Sequence, residues 1–245
     1  MAELVYPPVV LTCKAMLRAL DVKLDIQGTE HIPRHGGAVI ACTHQSYLDF
    51  IFCGLGAQPA KRLVRFMAKR EVFASRISGP LMRGMRHISV DRDAGKQSYD
   101  EAVRRLRVGE VVGVFPEATI SRSFTVKELK SGAVRMAVDA GVPIVPMAVW
   151  GTQRFWTKGR PKNLTQRHVP VSILVGEPMT PDSDASVDEA TTQLRSRMQQ
   201  LLDTAQAGYP EPPENDAAPW WLPAHLGGSA PTPEEAAELD RRRPE

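Results

Sequence analysis

Short apolar runs typical of buried strands alternate along this chain with segments whose apolar residues recur at helical spacing. The strand-like runs are residues 22–26, 38–42, 63–67, 87–90, 111–115, 144–149 and 171–175. The helical patterns between and after them are residues 48–55, 99–106, 129–140 and 194–202. Strands that alternate with helices predict an α/β domain with a mostly parallel central sheet flanked by helices.

The N-terminal end departs from this alternation. Residues 7–20 have the pattern of an amphipathic helix, with Lys14 and Arg18 set among apolar residues. This pattern fits either a packing helix of the domain or a helix that lies on anionic lipid. We therefore divide the chain into an N-terminal helix, a central domain and a tail, at residues 1–21, 22–205 and 206–245.

The C-terminal end also departs from the alternation. Residues 209–245 hold 8 of the 20 prolines, and we expect an irregular, acidic tail. Trp220 and Trp221 lie within it. Their indole rings fit either a tail that is pinned back onto the domain or an anchor at a membrane interface.

The formal net charge of +3 conceals an uneven distribution. Residues 1–180 carry 26 Lys and Arg against 15 Asp and Glu, a net charge of +11, whereas residues 181–245 carry 5 against 13, a net charge of −8. A basic body suits an anionic partner such as a phosphate ligand or a membrane surface. The sequence lacks the patterns typical of nucleic-acid recognition, so we do not expect nucleic acid as a partner.

Several classes of protein are excluded by what the sequence lacks. Three cysteines are too few for a disulfide scaffold, which favours a reducing compartment. The chain has neither a signal-peptide pattern nor a run of about 20 apolar residues, so we expect a cytoplasmic protein without a transmembrane helix. No metal-ligand spacing, glycine-rich phosphate loop or Gly-x-Ser-x-Gly motif is present, and we expect no bound metal.

A histidine and an aspartate follow the predicted strand 38–42. His44 and Asp49 would lie at the carboxyl end of this strand, where functional groups collect in α/β sheets. If the intervening residues form a turn, Asp49 can accept a hydrogen bond from one ring nitrogen of His44. The other nitrogen can then take a proton from a hydroxyl. A capping aspartate and a surface histidine explain this spacing equally well.

Three further segments carry groups that could bind an anionic substrate. Glu117 follows the strand 111–115, either as an acceptor for ligand hydroxyls or as a first-turn carboxylate of a helix. Residues 61–92 hold nine Lys and Arg against two acids, which fits a binding surface or a solvated face. The third is the segment 127–135, in which Lys130 precedes a helical pattern and either reaches a phosphate or is simply exposed.

Four blocks occur in an order that resembles the glycerolipid acyltransferase family, and most of all the 1-acylglycerol-3-phosphate acyltransferases. The blocks are His44 with Asp49, residues 84–92, residues 115–117 and residues 142–146. Together they span roughly residues 25–180. The four blocks in order are specific to the family, whereas any one of them alone would not be.

The resemblance implies roles for individual residues. His44 would be the general base for an acceptor hydroxyl that attacks an acyl thioester, and Asp49 would orient it. Arg92 would bind the acceptor phosphate, helped by Glu117 and the loop after it. The remaining candidates for substrate binding lie in or just after that loop, and they are Ala118, Thr119, Arg122 and Lys130. Residues 142–146 would build a pocket for the acyl chain or the acceptor.

The resemblance also implies the substrates. The acceptor would be a lysophospholipid, 1-acylglycerol-3-phosphate, and the product phosphatidic acid. The donor would be acyl-CoA or acyl carrier protein as a co-substrate, with no other cofactor. Another lyso-lipid or glycolipid acceptor, or phospholipid binding without catalysis, are the alternatives. We expect peripheral attachment to an anionic membrane surface, at the cytoplasmic face of the cell membrane.

One residue departs from the family pattern. The third block usually has glycine after its glutamate, and this chain has Ala118. If that position needs a positive φ, alanine would be strained and the loop modestly reshaped. Arg122 could then supply an extra phosphate contact. Acyl transfer also needs a donor for the oxyanion, for which the backbone amides of residues 44–46 are candidates.

Overall fold

A computed structural model describes residues 3–91, 95–181, 186–210 and 218–242. Within these residues seven strands form one sheet. They are β1 (Lys23–Gln27), β2 (Ala38–Cys42), β3 (Val64–Lys69), β4 (Ile88–Val90), β5 (Val111–Val114), β6 (Ile144–Trp150) and β7 (Pro170–Val175). Their order is β1-β7-β6-β2-β5-β3-β4. Neighbouring strands pair in parallel except β6 and β7, which are antiparallel. The expected α/β fold with a mostly parallel sheet is confirmed.

The helices follow the sequence pattern in the central domain. They are α1 (Tyr6–Ala19), α2 (Asp49–Gly56), α3 (Arg70–Ala74), α4 (Ser78–Gly84), α5 (Gly95–Arg107), α6 (Gly132–Ala140), α7 (Val187–Ala207) and α8 (Pro233–Arg242). Helices α3 and α4 are not predicted from the sequence because segments this short show too little periodicity. The helix α8 corrects the expectation of a wholly irregular tail.

The candidate site lies at the carboxyl end of β2, at the centre of the sheet. Every residue of β2 is buried. Its unbroken apolar sequence suits a strand that is covered on both faces by helices. β2 lies between β5 and β6 and is parallel to both, so the carboxyl ends of these three strands meet at one edge of the sheet. The chain leaves β2 at this edge and reaches His44 two residues later.

Described segments near each end of the chain pack on the central domain. Tyr6 of α1 is buried, and its hydroxyl donates to the carbonyl of Val64 (3.1 Å). Trp221 is also buried, with the Arg154 guanidinium 4.7 Å from its ring centroid. Its carbonyl accepts a hydrogen bond from the Gln153 side chain (3.2 Å). Of the two interpretations of the tryptophan pair, the pinned tail is therefore confirmed for Trp221.

Several cations of the basic run 61–92 hold the fold together. Arg62 donates to the main-chain carbonyls of residues 33, 36 and 109. Arg65 is buried and pairs with Glu3, and Arg86 pairs with both Glu3 and Glu110 at 3.1 Å. These three arginines connect separate segments of the chain, so this part of the run is neither a free binding surface nor a solvated face.

Candidate active site

His44 and Asp49 come together at the carboxyl end of β2. The His44 Nδ1 atom lies 3.1 Å from Asp49 Oδ2. Asp49 is the first residue of α2 and is fully buried, whereas the His44 side chain keeps 19% of its surface exposed. A carboxylate only accepts hydrogen bonds, so this contact favours the tautomer of neutral imidazole with its proton on Nδ1. The Nε2 atom of His44 is then the ring's acceptor.

The Asp49 carboxylate is fixed by three further donors. The backbone amides of Gln45 and Ser46 both donate to Oδ2 at 2.7 Å, and the Thr152 hydroxyl donates to Oδ1 at 2.6 Å. Hydrogen bonds to an ionised acceptor are short and strong. The turn between His44 and Asp49 is thus folded around the carboxylate that orients the histidine.

The segment after β5 fixes the main chain of His44. The His44 amide donates to Glu117 Oε1 (2.8 Å), and the His44 carbonyl accepts from the Ser121 amide (2.8 Å). The His44 ring stacks on Phe115, with centroids 4.2 Å apart and planes at 21°. Both the backbone and the ring of His44 are therefore positioned by residues that follow the neighbouring parallel strand.

Glu117 connects two loops. Its carboxylate is buried and accepts from the His44 amide and, at 3.0 Å, from the Lys127 amide. Burial raises the pKa of Glu117 to about 7, although the two amide donors act in the opposite direction. A ligand hydroxyl at Glu117 would have to share an oxygen that already accepts from the main chain. Glu117 therefore links the main chain of His44 to the loop that contains Lys127.

The expected oxyanion donors are already engaged. The His44 amide donates to Glu117, and the Gln45 and Ser46 amides donate to Asp49. The expectation that the amides of residues 44–46 form the oxyanion hole is therefore wrong for this structure. The cause is local, because the same tight turn that brings Asp49 to His44 uses these amides to hold the carboxylate.

Ala118 adopts the positive φ at which an alanine is expected to be strained. Its φ is +62°, in the left-handed region. A residue with a Cβ atom is destabilised by about 1–2 kcal/mol in this region of φ. The next residue, Thr119, accepts a hydrogen bond from the Lys127 ammonium (2.8 Å).

We expect Ala118→Gly to raise the free energy of unfolding by about 1 kcal/mol, because glycine adopts a positive φ without strain. The gain is smaller than the full strain because glycine also makes the unfolded chain more flexible. Thermal unfolding would report it as a Tm higher by a few degrees. The matched control is Ala15→Gly, at an exposed position in the interior of α1, which should lower stability by about 1 kcal/mol. A Tm that falls in both variants would contradict strain at Ala118.

Three cations surround one carboxylate near this loop. Asp240 of α8 pairs with Arg122 Nε (3.0 Å) and Lys158 Nζ (3.1 Å) through one oxygen, and with Lys127 Nζ (2.7 Å) through the other. Burial alone would raise the pKa of Asp240, but hydrogen bonds from these cations outweigh it and lower the pKa to about 2. Arg122 and the segment that begins at Lys127 were candidates from the sequence, whereas Lys158 was missed.

The remaining sequence candidates lie apart from this cluster or outside the structure. Lys130 is exposed and lines a surface cavity of about 570 Å³ together with Lys96 and Arg135. Its backbone amide donates to the Pro116 carbonyl (2.8 Å). Arg92 lies outside the described residues.

Residues 142–146 lead into β6 and include its first three residues. The parallel register pairs Ile144, the first residue of β6, with Val39 near the start of β2. Val39 precedes His44 by five residues, and Val145 is fully buried in the core. Residues 144–146 therefore lie in the first half of β6, and the pocket that the resemblance implies for residues 142–146 stays a prediction.

Sequence reasoning missed the segment after β6. Besides Thr152, the Trp156 carbonyl accepts from the Ser46 hydroxyl at 2.7 Å, and the Thr157 hydroxyl donates to the Gln45 carbonyl at 2.7 Å. These contacts hold the turn of residues 44–49 from the side opposite Glu117's loop. A usable signal existed, because this segment follows a strand whose carboxyl end lies beside that of β2.

In the part of the chain that the structure describes, no group of three or more His, Cys, Asp or Glu side chains is placed to hold a metal ion. The functional groups that the described residues place at this edge include the histidine, its carboxylate and the nearby cations. A histidine whose Nδ1 is held by a carboxylate, and whose Nε2 makes no hydrogen bond to the described residues, is suited to moving a proton.

Comparison with known proteins identifies the family. A family model described as acyltransferase matches residues 23–150, which include β1 to β6 and the His44 turn. The chain belongs to the acyltransferase family. This match confirms the predicted enzyme class. The resemblance to the 1-acylglycerol-3-phosphate acyltransferases is confirmed by named relatives.

Named relatives of this acyltransferase come from bacteria, plants and animals. The 1-acyl-sn-glycerol-3-phosphate acyltransferase of Bacillus subtilis is 31% identical and covers 78% of this chain and 98% of its own. Proteins of the same name from Limnanthes douglasii (33% identical) and, as the alpha form, from Homo sapiens (30% identical) cover 69% and 66% of this chain. The chain spans 58% of the length of each of these two relatives.

A solved structure has the same fold as this acyltransferase. The crystal structure of the 1-acyl-sn-glycerophosphate (LPA) acyltransferase PlsC from Thermotoga maritima superposes with a TM-score of 0.71. The match covers 84% of this chain and 81% of the other, at 24% identity. At this identity the likeness establishes the fold.

Proposed function

We propose that this acyltransferase transfers an acyl chain from acyl-CoA or acyl carrier protein to the free hydroxyl of 1-acylglycerol-3-phosphate, which yields phosphatidic acid. The observation that carries the proposal is the His44–Asp49 pair, in which one ring nitrogen is held and the other is left to accept a proton. The names of the relatives support the choice of acceptor.

The proposed reaction is a single displacement at the thioester carbonyl. The Nε2 atom of His44 takes the proton of the acceptor hydroxyl as its oxygen attacks the carbonyl carbon. The tetrahedral intermediate collapses, the carbon–sulfur bond breaks, and His44 returns the proton to the thiolate that leaves. Asp49 stabilises the transient imidazolium. A positioned general base contributes about 10² to 10⁴ in rate.

A panel of donors and acceptors tests this proposal. Purified protein would be mixed with acyl-CoA or acyl carrier protein of several chain lengths and with lysophosphatidate, other lysophospholipids or monoacylglycerol. We expect thiol release only with a suitable acceptor, and mass spectrometry should identify phosphatidic acid as the main product. Faster transfer to an acceptor without a phosphomonoester would assign a different head group. Absence of product with every donor would refute the enzyme activity.

We further propose that α1 and α4 form an interfacial surface for the membrane that holds the lipid substrate. Leu4, Leu11 and Ile77 are 79%, 69% and 83% exposed. The two helices adjoin, since the side chain of Val5 lies against Gly84. Exposed apolar side chains combined with cations favour anionic lipid. The cations on these helices and just before α4 are Lys14, Arg18, Arg76 and Arg83.

No helix of the described residues is long and apolar enough to cross a membrane. The proposed attachment is peripheral, at the cytoplasmic face of the cell membrane. It combines insertion of the exposed apolar side chains with attraction between the cations and anionic head groups.

We expect the protein to sediment with anionic liposomes and to be released as salt is raised, because exposed charges are screened. Ile77→Ser and Leu11→Ser should each weaken this binding several-fold, since they remove apolar area from the interfacial surface. The control is Val108→Ser, which removes an apolar side chain of comparable exposure (68%) just after α5. Equal losses in all three variants, or binding that ignores salt, would contradict the assigned surface.

A further inference from the structure

The loop that connects β6 to β7 carries a concentrated positive charge. This loop, residues 155–169, has four Lys and Arg and no Asp or Glu, and we refer to it as the basic loop. The chain has no acidic residue from residue 140 to residue 176. Two carboxylates from other segments pair with the basic loop, Asp240 with Lys158 (3.1 Å) and Asp21 with His168 (2.7 Å). The basic loop therefore keeps a net positive charge.

Three cations of the basic loop are accessible to an external anionic group. Arg160, Lys162 and Arg167 are exposed, and none of the three pairs with a carboxylate of the described residues. Two of them lie over indole rings. Lys162 Nζ is 4.0 Å from the ring centroid of Trp156, and the Arg160 guanidinium is 5.1 Å from that of Trp220. A contact of this kind leaves the charge in place, so these cations can still attract anions.

Aromatic and apolar side chains lie beside these cations. Leu164 of the basic loop is 46% exposed and Tyr47 is 37% exposed. The ring of Tyr47 packs on that of Trp156, with centroids 4.6 Å apart. Tryptophan and tyrosine are enriched where membrane meets water, and nearby cations favour an anionic leaflet. A small soluble anion would gain nothing from the exposed leucine, so the combination fits an anionic lipid surface better.

The basic loop is bonded directly to the turn that carries the catalytic pair. The Trp156 carbonyl accepts hydrogen bonds from the Ser46 hydroxyl (2.7 Å) and from the Tyr47 amide (3.1 Å). These two residues follow His44 in the chain. The basic loop also starts beyond the carboxyl end of β6, which is paired in parallel with β2. A lipid surface on this loop would therefore lie beside His44.

The far end of the basic loop adjoins α1. The His168 amide donates to the Leu20 carbonyl just after α1 (3.0 Å), and the Lys23 amide donates to the Val169 carbonyl (3.2 Å). The helix α1 contributes exposed apolar side chains and Arg18 to the interfacial surface. The basic loop is thus joined to an element of that surface at one end and to the catalytic turn at the other.

We propose that the basic loop is a second contact with an anionic membrane, with Trp156, Lys162 and Leu164 at the boundary between lipid and water. The inference rests on the proposed function, because it extends the interfacial surface of α1 and α4 to the edge of the sheet that carries His44. A lipid acceptor can then reach His44 while its acyl chain remains in the bilayer.

Quenching of indole fluorescence by brominated lipid tests this contact without turnover. Of the four tryptophans, Trp150 and Trp221 are buried. The full chain would be bound to vesicles of phosphatidylglycerol and phosphatidylcholine, with bromine on the acyl chains of the latter. We expect quenching that is largely lost in Trp156→Phe and retained in the matched control Trp220→Phe. Absence of quenching in the bound protein, or loss confined to Trp220→Phe, would overturn the contact.

Charge reversal tests the same contact through binding and kinetics. Lys162→Glu should weaken sedimentation with these vesicles several-fold and raise the apparent KM for lysophosphatidate held in them, because it repels anionic head groups. Its kcat/KM for a soluble, short-chain lysophosphatidate should stay unchanged, since that acceptor needs no membrane. The matched control is Arg107→Glu, at the exposed end of α5 that leads to the amino end of β5. We expect this control to bind vesicles like the unmodified protein.

The outcomes separate this inference from the proposed function. If Ile77→Ser weakens vesicle binding while Trp156→Phe and Lys162→Glu behave like the unmodified protein, the basic loop is not a contact and the surface of α1 and α4 stands. If both variants of the loop respond and no donor gives acyl transfer, the contact stands and the proposed function fails. Equal losses of Lys162→Glu on vesicle and soluble acceptors, or binding to acyl carrier protein but not to vesicles, would overturn the lipid contact.

Discussion

Replacing His44 by alanine is expected to lower kcat for acyl transfer about 10²- to 10⁴-fold, because the variant lacks the group that accepts the proton of the attacking hydroxyl. The fold should persist. The backbone of residue 44 keeps its hydrogen bonds to Glu117 and from Ser121, and the ring itself contributes one hydrogen bond and its stacking on Phe115. Steady-state thiol release and thermal unfolding would measure the two properties separately.

The control for this prediction is His35→Ala. His35 is exposed and lies in the turn before β2, away from the strand end that carries His44. Its replacement should leave kcat within about twofold. Unchanged turnover in His44→Ala, with the unmodified protein active in the same assay, would remove His44 from the mechanism.

The fold and the centre of the site could be predicted because their signals are local. The unbroken apolar run of β2 indicated a buried strand, and the position of His44 just after it placed the histidine at the functional edge of the sheet. The condition on Ala118 could also be stated in advance, because a position that usually holds glycine indicates a positive φ.

The rest of the site depends on contacts between residues far apart in the chain. Thr152 reaches Asp49 across 103 positions, and Asp240 reaches Lys127 across 113. The periodicity of apolar residues in the sequence does not reveal which distant residues will form hydrogen bonds. Thr232 and Glu235 have the spacing of a capping box, a signal that the expectation of an irregular tail did not use, and the sequence carries no signal for where α8 docks. The expected oxyanion donors were predicted wrongly for the same reason. The amides of residues 44–46 donate to the carboxylates of Glu117 and Asp49, and these contacts exist only in the folded chain.

Asp49→Asn is expected to lower kcat by about 10² to 10⁴ and also to destabilise the protein. An asparagine keeps the shape but cannot stabilise an imidazolium as a carboxylate does, and in catalytic triads the same change costs about 10⁴ in rate. The buried Asp49 accepts four hydrogen bonds, and bonds to a charged acceptor are worth more than bonds to a neutral one. We expect a loss of about 2–4 kcal/mol in the free energy of unfolding.

Thr152→Val and a double variant separate the two effects of Asp49. Thr152→Val removes one donor to Oδ1 and leaves the contact between Oδ2 and His44, so it should lower stability with a much smaller loss of kcat. If Asp49 acts on the reaction through His44, the double variant His44→Ala, Asp49→Asn should be no slower than His44→Ala alone, because groups that act as a unit are not additive. Losses of kcat that multiply would mean that Asp49 contributes to the reaction independently of the histidine.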